Sequence, residues 1–344
     1  MSFTHLHLHT SYSLLDGAGK ISEMVDRAKA LGQDSIAITD HGVMYGAVEF
    51  FKTCLKKGLK PIIGSEIYVV EGSRFDRRSD EERYHLILLS ENEVGYKNLI
   101  KIVSAGFVDG FYYKPRVDYE ILNKYHEGLI CLTACVQGEV PQALLKGQYG
   151  EAKLRAENLK NIFGANNLFI EIQNHGLKDE LMIQPDLIRI ADEIGVKVVA
   201  TNDCHYTLKE DSYAHDCLIA LQTGKKVNDP NRGMKYEKEK YYITSEDEMK
   251  ELFKFCPEAV ENTKLIADRC NIKISFTQTA YNELMSNIDF LKDSKNNSCD
   301  IEKLKSMVGF SEYHVPTFDV PKGFTNVEYL TKLANEGLER KYDL

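Results

Sequence analysis

The chain has 344 residues, of which 43% are hydrophobic and 28% charged, and a formal net charge of −9. That length bounds it to one large domain or two smaller ones with ample core, and the composition is that of a soluble globular protein, not a disordered or fibrous one. The acidic balance argues against indiscriminate nucleic-acid binding through a basic surface. No stretch of roughly 18 apolar residues offers a membrane span, and the first residues do not form a signal sequence; the 8 cysteines therefore read as reduced cytoplasmic thiols, one or two of them ligands.

Residues 3–9 are the first β-rich run, in which His5, His7 and His9 alternate with Leu6 and Leu8. At a strand's period of two, the imidazoles share one face and the leucines the other. A row of imidazoles repels when protonated and wastes burial when neutral unless it binds something, and a divalent metal is the natural partner. Ser22 is placed to cap a helix through about Leu31, closed by Gly32. Residues 35–39 form the second strand, ending on Asp40 and His41. Met44, Ala47, Val48, Phe51, Cys54 and Leu55 then recur at the helical period. The third and fourth strands are 61–70 and 84–89. A helix around 96–104 leads to an aromatic loop at 110–116, and 128–133 is the fifth strand. Ala156, Leu159, Ile162 and Phe163 mark a helical face before the sixth strand, 167–172. A helix containing Leu187, Ile188, Ala191 and Ile194 precedes the seventh, 196–201, which ends in Asn202, Asp203, Cys204 and His205.

After Gly224 the pattern weakens. Residues 225–240 read as a charged loop, 257–270 as a helix, 277–311 as a polar insertion or mobile segment, 314–321 as an extended crossing, and the last residues as helical. The expected division is a barrel over 1–275, an insertion over 276–312 and a linker over 313–344. Strands separated by helices argue for parallel βα units. A distorted (β/α)7 barrel of α/β class, with a C-terminal extension, is the economical architecture; a doubly wound open sheet is the alternative.

Chemically capable residues sit at or beyond the carboxyl ends of these strands: His7 and His9, His41, Glu66, Cys135, Asp203 and His205, with Asp16 on the loop leaving the first strand. His85 instead opens its strand. In a βα barrel the carboxyl ends face one way, so residues distant in sequence converge. The set is too large for one catalytic ion with an open position and suits two or three. Imidazole and thiolate with few carboxylates favour Zn2+, Mn2+ or Fe2+ over Mg2+ or Ca2+. The net positive site would attract an anionic substrate such as a phosphoester.

The residues His7, His9, Asp16, Asp40-His41-Gly42, Glu66, Asp203 and His205 resemble the motifs of the polymerase-and-histidinol-phosphatase (PHP) superfamily. The surroundings (Tyr12 to Gly17, Gly46 to Phe50, Phe111 to Arg116, Asp229 to Arg232) are similar to one branch, the N-terminal domains of bacterial DNA polymerase III alpha subunits. The likeness covers about 1–275 and resumes from Tyr313, with 277–311 departing from it. It implies a distorted (β/α)7 barrel and a trinuclear site. His7, His9, Glu66 and Asp203 would hold one metal, Glu66 would bridge to a second held by His85 and Cys135, and Asp16, His41 and His205 would hold the third. No position of that nine-ligand pattern is lost, which favours an active 3′–5′ exonuclease over the inactive members. The family's polymerase acids lie in a palm domain beyond this chain, so polymerisation is not expected of it.

Around this set, His5 is expected to pack behind the ligands, Cys204 to point away from them, and Glu171 and His175 to line the pocket. Lys114 and Arg116 are candidate phosphate contacts, Tyr112 and Tyr113 candidate stacking faces for single-stranded DNA, and Arg74, Arg77 and Arg78 a solvated charge run. The expected partners are a DNA 3′ end, the remaining polymerase domains and other replisome subunits, with no membrane. The competing readings are a phosphatase acting on small monoesters such as histidinol phosphate, and a metal-retaining structural module without activity.

Overall fold

The structure, a computed structural model, describes residues 3–78 and 82–274 together with 328, 329, 331–333 and 336. The chain divides into two units, Met1–Lys273 and Ile274–Leu344, and the architecture below is that of the first. The expected insertion and the extended crossing lie outside the described residues. The expected terminal helix meets them only at 328, 329, 331–333 and 336, which are helical.

The fold is α/β. Its strands are β1 (Ser35–Ile38), β2 (Lys60–Val69), β3 (Tyr84–Ser90), β4 (Phe111–Tyr112), β5 (Lys114–Val117), β6 (Leu129–Leu132), β7 (Leu168–Ile172) and β8 (Lys197–Ala200). They form one curled sheet in the order β4-β5-β2-β3-β6-β7-β8, with β1 beside β2. The long β2 carries two partners on one edge. Its first half pairs with β1 and its last residues with β5, both parallel.

Uniformly parallel βα units do not hold. β3 runs antiparallel to both β2 and β6; no helix intervenes between β2 and β3 among the described residues, and a parallel pairing of consecutive strands needs such a crossover. Residues 3–9 are a second correction, since they form no regular strand. Their backbone instead bridges two elements: Ala37 donates to the His5 carbonyl and Thr39 to that of Leu8. On the other side His9 donates to the Cys204 carbonyl and Cys204 to that of His7.

The helices are α1 (Ile21–Ala30), α2 (Ala47–Lys57), α3 (Glu93–Val108), α4 (Tyr119–Tyr125), α5 (Glu139–Leu145), α6 (Tyr149–Phe163), α7 (Lys178–Ile194), α8 (Ser212–Gln222), α9 (Glu246–Leu252) and α10 (Pro257–Arg269). Their ends follow local chemistry. Asn92 caps α3 by accepting from the amides of Val94 and Gly95, and Gly58 closes α2 at φ 79°. Ser22 does not cap α1, which begins one residue earlier; its hydroxyl accepts from Lys57 Nζ at 2.8 Å.

Alternation along the strands places the site. Leu86, Leu88, Ile170, Ile172 and Val198 join the large cluster shared with α3, α6 and α7. The opposite face carries Ile62 on β2, Ile87 and Leu89 on β3, Phe169 on β7 and Val199 on β8, closed off by Ile266 and Ala267 from α10 and by Cys270 just after it. Towards one end of the sheet that inner face turns polar, with Glu66 four residues beyond Ile62, His85 two before Ile87, Glu171 two beyond Phe169 and Thr201 just past β8. An apolar floor and a polar upper layer thus share one surface of the sheet.

Candidate metal centre

Each ligand-type side chain reaches the polar layer by its own local route. Glu66 lies within β2, paired with His41 just beyond the end of β1, and its carbonyl accepts from the Gly42 amide at 2.6 Å. His85 sits at the amino end of β3, which reaches the site because that strand runs opposite to its neighbours. Asp16 depends on the adjacent Gly17, where a Cβ would stand 2.0 Å from the Thr10 carbonyl oxygen. Leu15, Ala134 and Asp203 have φ of 63°, 62° and 42°. One is a ligand-type residue and the others immediately precede Asp16 and Cys135, so backbone strain collects where these side chains are aimed.

The nine residues converge. His7 and His9 bring their Nε2 atoms to 3.0 Å, and Asp203 Oδ1 lies 3.1 Å and 3.2 Å from them. Glu66 Oε1 is 2.7 Å from His85 Nδ1. Its Oε2 is 2.5 Å from His41 Nδ1 and 3.3 Å from His9 Nε2. Asp16 Oδ2 lies 3.1 Å from His41 Nε2, and its Oδ1 3.8 Å from His205 Nε2. Cys135 Sγ is at the edge, 3.8 Å from His85 Nδ1. His41 thus faces both Glu66 and Asp16 and joins two halves of the cluster.

Electrostatics couple the members of the cluster. Burial raises the cost of ionising Glu66, yet His85 and His41 hold its carboxyl well below the usual range. Burial likewise opposes ionisation of Asp16 and Asp203, and the surrounding histidines outweigh it in both. Burial, with His41 and His205 beside it, pushes His9 down to about 3. Burial also acts on His41, but Glu66 and Asp16 raise it to about 10. In Cys135, burial and the neighbouring Glu66 and Asp203 push the thiol well above its ordinary value.

Both oxygens of Glu66, Oδ1 of Asp203 and Nδ1 of His41 are buried without a hydrogen bond. Such atoms are costly unless something satisfies them. Three overlapping groups, His9-His41-His205, His7-His9-Glu66 and His41-Glu66-His85, each bring their ligand atoms within 4.8 Å of one another. Short distances without hydrogen-bond geometry, among imidazole and carboxylate lone pairs, fit divalent cations between them.

The ligands are themselves oriented. His7 Nδ1 is 2.7 Å from Glu171 Oε1, which also accepts from Gln173 at 2.9 Å and from the Thr201 hydroxyl. A donor proton on Nδ1 leaves the Nε2 lone pair facing the cluster. His9 Nδ1 lies 3.1 Å from Ser13 Oγ, which donates to Asp40 at 2.7 Å.

Comparison with known proteins decides the family. Residues 5–175 match the family model described as PHP domain. The chain carries a PHP domain. Proteins named DNA polymerase III subunit alpha are its relatives: that of Treponema pallidum is 48% identical over 277 residues, 80% of this chain and 24% of the relative. Those of Helicobacter pylori and Thermus aquaticus are 37% and 36% identical over 351 residues, 99% of this chain and 27% and 26% of the relatives. The chain therefore spans about a quarter of the length of these relatives. Among solved structures, an amidohydrolase from Chromobacterium violaceum with bound sulfate and no metal aligns with a TM-score of 0.41 and 16% identity, covering 60% of this chain and 88% of that one.

The cluster of the PHP domain opens into a cavity of about 780 Å3, lined by Asp16, His41, Glu66, His85, Cys135, Asp203 and His205 and also by Lys114 and Tyr236. Lys114 holds its Nζ 5.3 Å from the centre of the Tyr68 ring. Three peripheral expectations, for Arg116, His175 and Arg74, are corrected. Arg116 is fully buried, and its guanidinium donates to the carbonyls of Gly110, Arg74 and Asp76, so it braces a loop and faces no solvent. His175 is buried, its ring nitrogens 2.6 Å from Glu180 and 3.0 Å from the Asn202 carbonyl, and stacks on Tyr241. Arg74 is buried against Asp118, Asp109 and Glu120 and is not a solvated charge. Tyr113 is exposed and packs edge-on against Tyr112. His5 contacts the Thr244 carbonyl and Cys204, away from the cluster.

Tyr236 escaped the reading of the sequence. Its hydroxyl donates to Asp16 Oδ1 at 3.2 Å and lies 3.2 Å from His205 Nε2. A lone tyrosine inside the charged 225–240 segment carries no period and no motif, so only the fold reveals it. No helix among the described residues is long and apolar enough to cross a membrane.

Proposed function

We propose that this PHP domain is the N-terminal region of a bacterial DNA polymerase III alpha subunit, working in cytoplasmic DNA replication, and that it hydrolyses phosphodiesters from the 3′ end of single-stranded DNA. The observation that carries this is the clustering of nine ligand-type side chains, seven of which line one cavity and two of which, Glu66 and Asp203, carry buried unsatisfied carboxylate oxygens. The relatives named DNA polymerase III subunit alpha favour a polymeric nucleic-acid substrate over a small phosphomonoester. Other domains of the full-length subunit would polymerise and, with replisome subunits, be the partners.

His7, His9, Glu66 and Asp203 would hold one ion; Glu66, His85 and Cys135 a second; Asp16, His41 and His205 a third, with Zn2+ or Mn2+ favoured by the mixed nitrogen, oxygen and sulfur set and Fe2+ also compatible. Bound divalent ions supply Lewis acidity and positive charge to a phosphodiester. Glu171 fixes the His7 ring and Ser13 with Asp40 the His9 ring, so both Nε2 atoms are preorganised. Lys114 offers a cation for a phosphate oxygen at the cavity wall, and Tyr236 a hydroxyl beside Asp16. Tyr112 and Tyr113 would stack on bases at the outer loop. The fold we infer is a distorted (β/α)7 barrel, supported by residues 5–9 bonding to β1 on one side and to the segment after β8 on the other.

The test is to measure bound metal, then to compare nucleotide release from single-stranded DNA with hydrolysis of a small phosphomonoester. His9→Ala and Asp203→Ala should lose both metal and DNA hydrolysis. A metal-loaded protein that degrades no DNA, or variants that degrade it as well as the parent, would refute the exonuclease reading. Preference for the monoester would favour a phosphatase.

A further inference from the structure

Beside the metal-ligand cluster stand three aromatic rings in a row. Tyr45 precedes α2, Phe107 lies in the last turn of α3 and Phe111 opens β4. The Tyr45 and Phe107 ring centres are 6.4 Å apart; those of Phe107 and Phe111 are 5.9 Å apart, with planes within 18°. The rings are 59%, 37% and 50% exposed, and Leu14 beside them is 70% exposed. Large apolar groups clustered in water mark a binding surface far more often than the same groups scattered singly.

What the surface binds follows from its neighbours. A cavity of about 210 Å3 runs along Tyr45, Phe107 and Phe111, and Asp16, His41, Tyr68 and Lys114 line both it and the main cavity. A ligand on the rings is therefore continuous with one at the ligand cluster. A net charge of −9 argues against holding a polyanion through a general basic surface, which leaves uncharged contacts and local cations to add to the pull of the ligand cluster. Flat rings supply the first, because every nucleobase has a π-face. Lys114, at the junction of the two cavities, supplies a cation where a phosphate between ring and cluster would pass.

We propose that Tyr45, Phe107 and Phe111 form a stacking subsite for bases of single-stranded nucleic acid, upstream of the phosphate presented to the cluster. The proposal deepens the phosphodiesterase reading and rests on it for the identity of the strand as substrate. Stacking tolerates any base, so the subsite grips without selecting sequence.

The experiment measures binding of a fluorescent oligothymidylate to the metal-loaded chain by anisotropy. The Tyr45→Ala/Phe111→Ala double variant is compared with the parent, alongside hydrolysis of bis(p-nitrophenyl) phosphate, which is too small to reach the rings. Both substituted positions are exposed, and Tyr45→Phe/Phe111→Tyr controls for folding. The expected result is a rise in Kd of about 10- to 100-fold in the alanine variant, recovery in the aromatic variant, and unchanged metal content and turnover of the small diester. An abasic strand of equal length should bind the parent at least as weakly as the thymidylate binds the alanine variant. Unchanged affinity in the alanine variant, or equal affinity for the abasic strand, overturns the subsite. Ring-dependent binding without any DNA hydrolysis keeps the subsite and refutes the exonuclease reading instead.

Discussion

Glu171 offers a graded test of how the metal centre is built, because it touches no proposed ion position and acts only through His7. Its Oε1 accepts from His7 Nδ1 at 2.7 Å, from Gln173 Nε2 at 2.9 Å and from the Thr201 hydroxyl, while Oε2 is buried with no hydrogen bond. Glu171→Gln leaves an oxygen to accept all three donors and removes the charge that, with Asp203, raises His7 against the effect of burial. Losing such an outer carboxylate typically costs 10–100-fold in metal affinity. The glutamine variant, with geometry kept, belongs at the lower end, about 10-fold or about 1.4 kcal/mol. Glu171→Ala frees the His7 ring and strands three buried donors, which puts it near 100-fold, about 2.7 kcal/mol. Competition for Zn2+ or Mn2+ against a chromogenic chelator at fixed pH reads both. If Glu171→Ala weakens binding less than about threefold, the ring of His7 is held by packing alone and the reasoning fails.

Further predictions concern groups outside the metal centre. Burial raises the Glu139 carboxyl to about 7, against the opposing effects of Tyr119 and Arg155, so the folded state prefers it protonated. The stability this gives is complete below the unfolded carboxyl value and is lost as pH rises to about 7, by up to about 3 kcal/mol; urea unfolding of chelator-treated protein should show that decline, and Glu139→Gln should flatten it. An equal slope in the variant would exclude Glu139 as its source. Arg116→Ala removes buried donors to three carbonyls and should lower stability by about 2–4 kcal/mol, read as a drop in urea midpoint. Metal affinity should stay unchanged; a stable variant with weakened DNA binding would restore Arg116 to the substrate surface.

Much of the centre was legible because its ligands obey local rules. His7 and His9 fall two residues apart, Asp203 and His205 likewise, and each group follows or lies within an apolar β-rich run, so period and position suffice to pick them out. Glu66 announced itself as a carboxylate within a strand that is otherwise buried. The aliphatic alternation also placed most strands, since burial on one or both sheet faces is written into the order of residues.

Other features depend on what the chain meets after folding. The direction of β3 is set by pairing with β2 and β6; a run of apolar residues has no sense of direction, so His85 at its amino end looked misplaced until antiparallel pairing carried that end to the centre. Arg116, His175 and Arg74 have the composition of surface contacts, and only carbonyls and carboxylates from distant segments show them to be buried braces. Tyr236 reaches Asp16 across 220 positions of sequence, and Tyr45, Phe107 and Phe111 come from three separate elements. Ligand identity is a local property that periodicity preserves. Strand direction, burial of charge and the meeting of rings are long-range pairings, which no window of sequence contains.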